Sequence, residues 1–365
     1  MKISIRRADL AQALRAVKGA AGGDAASVLG SIRLVTGPDS VTLTATDRDL
    51  VAVATCAAEV GETGCALIAG KALVDIVAAV PPGAVMSIES GGAKTTIRAG
   101  SARWALRGIG VEEFPATDED EDEALVRSAG VVGLLRSVAF AASSDESRAM
   151  LCGALLELDA ETQTLRATAT DGHRLSTAEA SGVECLGSSW AGVVHRRGLS
   201  EVLRVFADGE PVTVSATGRQ VAFAATGRRL LVREAEGQFP DYRRVVPALG
   251  EVASVDAAEL AAAVARVGVM ACGRATTPMR VELADGLLRL SVTSVEVGDG
   301  YEEVAAKWDG DAVEAAVNPR YVLDALAATQ PDEEGNITLQ IGRDPFTPCV
   351  LRGAGSTHVI MPMRL

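Results

Sequence analysis

Apolar and polar positions along this chain alternate with two periods, and the two alternations recur in one order three times. At the helical period, Leu10, Leu14 and Val17 form a stripe along one face. Val131, Leu135 and Val138 repeat it, and Leu260, Val264 and Val267 repeat it again. A second helix set follows in IAGKALVDIVAAV, VHRRGLSEVLRVF and VNPRYVLDALAAT, with apolar pairs Leu73/Val77, Leu199/Leu203 and Val322/Leu326. Each of these segments carries a basic residue at its equivalent point: Lys71, Arg197 and Arg320. At period two, the runs VTLTATD, TLRATATD, VTVSA, LRLSVTS and ITLQI predict strands. Each unit therefore reads helix, strands, helix, strands, opening on a helix, which is an α+β arrangement.

Punctuation recurs with the same spacing. Thr46-Asp47, Thr170-Asp171 and Thr293-Ser294 each end a strand-like run, and Phe114-Pro115, Phe239-Pro240 and Met361-Pro362 mark unit ends. Steps of about 120 residues are too long for a solenoid unit and match a small domain copied twice. The 365 residues thus divide into expected modules at 1–121, 124–247 and 250–365. Each is large enough to bury its own core. An array of this kind is suited to building a curved or closed object.

Composition narrows the reading. At 3% aromatic residues, the cores must be packed from Ala, Val and Leu. Six cysteines without CxxC spacing are expected to be reduced, buried thiols in a cytoplasmic protein. No secretory segment follows Met1 and no apolar run reaches membrane-spanning length, so no membrane partner is expected. With His173, His195 and His358 as the only histidines, neither a histidine-rich metal site nor a cofactor is expected. A net charge of −13 argues against a simple basic nucleic-acid binder. It leaves room for charges sorted by face, acidic outside and mildly basic within. The run Asp118–Glu123 reads as a self-repelling linker between units one and two.

Three segments carry candidate chemistry. Ala169-Thr170-Asp171-Gly172-His173-Arg174-Leu175 has the Asp-Gly signal of a hairpin turn. Pairing Asp171 with His173 as acid and base is the enzymatic alternative, but no nucleophile, metal cluster or phosphate loop accompanies it, and no catalytic residue is assigned. Gln238-Phe239-Pro240-Asp241-Tyr242-Arg243-Arg244-Val245-Val246-Pro247 joins units two and three, and its aromatic and Arg content favours an interface. Val359-Ile360-Met361-Pro362-Met363-Arg364-Leu365 stays apolar almost to its end, either tucked into the core or forming part of a docking groove.

Found together and in this order, these three motifs resemble the bacterial sliding clamp family, the beta subunit of DNA polymerase III holoenzyme. The resemblance runs from Met1-Lys2-Ile3 to the final Met-Pro-Met-Arg-Leu. It implies three clamp domains per chain, with helices lining the inside and antiparallel sheets outside. It also implies a ring-shaped, head-to-tail homodimer. Duplex DNA would be encircled without sequence preference, and replicative and repair DNA polymerases and the clamp loader would be the protein partners. The implied setting is cytoplasmic and nucleoid-associated. A partner-peptide pocket is implied at Thr170, Gly172, His173, Arg174 and Leu175 from the hairpin, and at Pro240, Arg244 and Val245 from the linker. The terminus adds Val359, Ile360, Met361, Pro362, Met363, Arg364 and Leu365. Leu151, in Arg148-Ala149-Met150-Leu151, matches a leucine flooring the pocket, and Phe346 and Pro348 lie toward its remaining wall.

For DNA contact the resemblance leaves Arg15, Lys18, Lys71, Arg136, Arg196, Arg197, Arg204, Arg266 and Arg320, with ordinary solvated helix charges as the alternative. Relatives often carry Arg after Gly-Gly near the first helix, where this chain has Gly22-Gly23-Asp24. That departure motivates the runner-up reading, a specialised clamp copy that docks partners but is loaded weakly on DNA.

Overall fold

The computed structural model describes residues 1–23, 27–91, 94–117, 123–272, 276–344 and 346–364. Asp24, Leu365 and 118–122 of the acidic run lie outside the described residues. Six α-helices appear among the described residues, two per repeat: α1 (Arg7–Val17) and α2 (Gly70–Ala79), α3 (Val131–Ala139) and α4 (Arg196–Val205), α5 (Ala257–Gly268) and α6 (Pro319–Ala328). All strand pairing is antiparallel.

The stripes of α1, α3 and α5 are buried as their spacing predicts. In α4 the expected pair Leu199/Leu203 is half right. Leu203 is only half-buried, and the buried face runs through Leu199, Val202 and Val205. With apolar residues at both 202 and 203, helical spacing alone does not choose between the two diagonals. Two helix starts are written into the sequence. Asp256 Oδ1 accepts the amide of Glu259 at 2.7 Å before α5, and Asn318 Oδ1 accepts that of Arg320 at 2.9 Å before α6, with Pro319 in the first turn.

The repeats do not open on helices. Each opens on a strand, Lys2–Arg6, Glu123–Ser128 and Ala253–Asp256, that runs directly into the helix. These strands pair far along the chain, Lys2 with Glu89, Val126 with Val214 and Val255 with Ile337. Four to six residues carry too little local pattern to reveal such non-local pairing.

Packing gathers the chain into two compact units. The first comprises Met1–Val132, Glu184–Ser188 and Ser200–Glu234. It holds a five-stranded sheet ending on Ala102–Arg107, and a nine-stranded sheet in which Arg228–Arg233 pairs with Leu50–Ala57. The second comprises Gly133–Val183, Ser189–Leu199 and Ala235–Leu365, around one twelve-stranded sheet in which Ser356–Ile360 pairs with Arg174–Ser181. In each case the last strand of one repeat joins the strand after the Thr-Asp turn of the repeat before.

The cores are aliphatic, as the scarcity of aromatics requires. In the second unit Leu260, Val264, Leu283, Leu288, Leu326 and Leu351 are representative. The expectation of buried thiols holds for Cys152 and Cys349, the latter pushed up to about 12 by burial. It fails for Cys272, which is exposed in a left-handed conformation (φ 51°) just after α5.

Candidate functional site

The hairpin 170–174 is a self-satisfied turn. Asp171 Oδ1 accepts the amides of His173 (2.9 Å) and Arg174 (3.0 Å). Thr170 Oγ1 accepts the amide of Gly172 at 3.1 Å and donates to the carbonyl of Arg174 at 2.7 Å. Gly172 sits at φ 89°, where a side chain would be strained. The Asp171 carboxylate is therefore engaged with backbone amides and with Arg174 Nε at 3.1 Å. This is the bonding of a turn former, and its contact with His173 is to the amide.

Cross-strand pairing then brings the terminus to this turn. Leu175 lies opposite Val359 and Arg174 opposite Ile360, and the amide of Met361 donates to the carbonyl of His173 at 2.9 Å. Beyond it, the amide of Met363 donates to the carbonyl of Ala316 at 2.7 Å. Leu175, Val359, Val350 and Tyr242 make a buried apolar cluster, with Leu155, Phe239 and Val246 packed against it. Tyr242 comes from the short helical turn Tyr242–Arg244 in the linker. Its hydroxyl donates to Glu157 at 2.7 Å, and Arg243 reaches the other oxygen of that carboxylate at 2.7 Å. Burial first, and the Glu157 bond next, push the Tyr242 phenol above its ordinary value.

Strand alternation sorts the sequence candidates by face. Thr170, Leu175 and Val359 are buried on one face, and Leu151 is buried beside the turn of Ser143, whose amide its carbonyl accepts. Gly172, His173, Pro240, Arg244, Val245, Met361 and Arg364 are exposed, with Pro362 and Met363 half-buried; Arg244 is ion-paired to Asp241 at 2.8 Å. Ile360 and Arg174 turn to the opposite face, Ile360 into the core of the second unit. A contiguous run of site residues is thus split, because neighbours on a strand point oppositely. Phe346 is 74% exposed in the loop before Cys349 and half-buried Pro348, its amide held by Asp344 at 2.8 Å. Sequence reasoning left out Leu155, Tyr242 and Val350 from this apolar cluster, and Phe140, Tyr321 and Asp324 around Arg174. The one available signal was the oddity of Tyr242 in so aromatic-poor a chain.

The first unit contains the same junction in altered form. Val51, Ala222 and Leu231 cluster there at the repeat-equivalent places of Leu175, Val350 and Val359. The amide of Arg233 donates to the carbonyl of Asp49 at 2.9 Å, as Met361 does to His173. The side chains differ: Asp49 and Arg233 form an ion pair at 3.2 Å where the second unit has His173 and Met361.

The nine basic candidates are all exposed on or beside helices. Several have protein partners. Arg196 pairs with Glu146 at 2.9 Å and Arg266 with Glu302 at 3.0 Å. Arg204 bonds Glu201 and the carbonyls of Arg15 and Ala16 at the end of α1, so it closes that helix's C-terminus. Arg15 and Lys18 line a concavity of about 370 Å³ between α1 and α2, with Arg7 and Val77.

Comparison with known proteins follows this geometry along the whole chain. Three family models match in order: DNA polymerase III beta subunit, N-terminal domain, at 1–118; central domain, at 126–241; and C-terminal domain, at 243–364. The beta sliding clamp of Synechococcus elongatus is 30% identical over 341 residues, covering 90% of this chain and 89% of that one. That of Vibrio cholerae is 28% identical over the full length of both. The solved DNA polymerase III subunit beta of Pseudomonas aeruginosa superposes with a TM-score of 0.91 at 26% identity, covering all of both chains. A sliding clamp from the same organism, solved bound to griselimycin, also superposes at 0.91 and 26% identity.

Proposed function

We infer the function from one premise: the chain belongs to the DNA polymerase III beta-subunit family, the beta sliding clamps. It is a DNA sliding clamp, a processivity factor for DNA polymerase. The family is non-catalytic, and we read this chain as making and breaking no bond. Loading, with its nucleotide chemistry, falls to a separate clamp loader. Its place of work is on DNA in the cell interior, at the nucleoid.

Our reading of the assembly is a head-to-tail homodimer closed around duplex DNA. One observation carries it. Both junctions inside the chain pair the closing strand of one repeat with the strand after the Thr-Asp turn of the repeat before, in one register. Arg228 lies opposite Ala54, and Ser356 opposite Ala178. By the same rule the first repeat's closing strand, Ala102–Arg107, needs Gly298–Lys307, the corresponding strand of the third repeat. Among the described residues, Ala102–Arg107 ends its sheet, and Gly298–Lys307 is paired along its length on one side only, its contact to Ala253–Asp256 being limited to Ala306 and Lys307. Two copies satisfy both edges at once, a heterologous contact that closes. The register follows from the hairpins: Ala102 opposite Glu302, Trp104 opposite Gly300 and Leu106 opposite Gly298. Charge agrees, since Arg103 and Arg107 meet a strand bearing Asp299, Glu302 and Glu303. The exposed apolar side chains of Val269, Val295 and Tyr301 lie around it.

A closed ring holds DNA topologically, so tethering needs only weak phosphate contacts, and weak contacts permit sliding. The exposed Arg15, Lys18, Lys71 and Arg320 are our first candidates for them. The groove floored by Leu175, Val359 and Tyr242 and edged by His173, Met361 and Met363 receives a short apolar-anchored peptide from replicative and repair polymerases and from the loader. A polymerase so docked meets the primer end at high effective concentration after each release. Calorimetric titration with a polymerase-derived peptide tests the groove: removing Met363–Leu365 should weaken binding by about tenfold or more and leave the dimer intact. Unchanged affinity would reject the assignment.

A further inference from the structure

Arg174 belongs by sequence to the hairpin of the groove, yet its side chain lies on the other side of the sheet. Pairing opposite Ile360 places it on the face of Ser176 and His358, while Leu175 and Val359 face the groove. There all three of its guanidinium nitrogens are engaged. Nε meets Asp171 at 3.1 Å, Nη1 meets Asp324 at 2.6 Å, and Nη2 donates to the carbonyl of Phe140 at 2.7 Å. Its guanidinium carbon is 5.1 Å from the ring centre of Phe140 and 4.5 Å from that of Tyr321. Only 12% of the side chain is exposed. Tyr321 and Asp324 belong to α6, and Phe140 directly follows α3. Asp171 in turn holds the amides of the turn, and the carbonyl of His173 receives Met361. A continuous line of contacts therefore runs from α6, through Arg174 and Asp171, to the first residue of the C-terminal segment.

We propose that Arg174 is a positioning residue for the docking groove. Fixed by Asp324 and two rings, it holds the turn 171–173, and with it Met361, in the place where a partner's peptide meets them, without touching the peptide. The inference rests on the groove reading above and deepens it, adding Asp324 as a remote determinant of affinity. Planar, three-sided anchoring of this kind suits Arg and not Lys.

The full-length dimer, Arg174→Lys, Asp324→Asn and the double variant are titrated with a synthetic polymerase-derived peptide, and exchange of the Met361 amide is followed in the free proteins. Each single variant should lose about tenfold in affinity, the worth of one charge-assisted hydrogen bond. The double variant should lose no more than a single one, because both break the same line. The Met361 amide should exchange faster in all three, with the fold and the dimer mass retained. Loss in Arg174→Lys with wild-type affinity in Asp324→Asn would make Arg174 a direct peptide contact and overturn the proposal. So would additive losses, or unchanged exchange at Met361. Absence of binding by the wild type would reject the groove itself, an outcome that the exchange rates in the free protein keep distinct from failure of the Arg174 anchor alone.

Discussion

His358 is a small test of how far burial sets chemistry in this chain. It is 1% exposed, its Nδ1 lies 3.0 Å from Ser176 Oγ, and its Nε2 has no hydrogen-bond partner among the described residues. Burial pushes its pKa down to about 4. A histidine depressed in the folded state stays neutral there while the unfolded chain takes up a proton. Its stabilising contribution is complete above the ordinary value near 6.5 and is lost as pH falls toward 4, by about 3 kcal/mol in all. Denaturant unfolding of wild type and His358→Gln across that range should differ in slope, the wild type losing more stability with acid. Parallel slopes would reject the neutral, buried histidine. Arg204 makes the converse point. It was a DNA candidate by sequence, and it closes the end of α1. Arg204→Met should cost about 1 kcal/mol of stability and leave DNA affinity unchanged in a salt titration. Lys18→Ala should do the reverse, lowering the salt slope by about one.

At the scale of elements, the sequence was most legible where a period repeats and least where partners are distant. Three helix stripes in one order placed α1, α3 and α5, and the Thr-Asp turns placed the hairpins. The opening strands went unseen because four to six residues next to a strong helix carry no period of their own, and their partners lie dozens of residues away. The proposed docking site was legible as motifs and not as a surface. Resemblance supplied the run 359–365, but only alternation separates Val359, in the Tyr242 cluster, from Ile360, in the larger core of the second unit. The two junctions differ in the same way. The first unit's copy carries the Asp49–Arg233 ion pair in place of His173 and Met361, which puts charge where an apolar anchor would have to sit. A polymerase-derived peptide should therefore saturate at one site per chain. Asp49→Ala should leave its affinity within about twofold, measured by calorimetric stoichiometry. Two equivalent sites per chain would contradict this.

At the scale of the molecule, we read the assembly from the repeat that opens the sequence. A rule used twice inside the chain, closing strand onto the strand after the turn, has one application left, which we assign to a second copy. Directly opposed residues in an antiparallel pair lie about 4.5–5.5 Å apart at Cα, within reach of a disulfide. Ala102→Cys with Glu302→Cys, in a background with the six native cysteines replaced, should therefore give a covalent dimer on mild oxidation, with two bonds per ring. The most direct measurement uses that locked ring. Loaded by the cognate loader onto nicked circular plasmid and then oxidised, it should stay with the DNA through high-salt gel filtration and be released when the plasmid is cut once. A protein that never travels with the circle, or one that stays bound after linearisation, would contradict the encircling clamp.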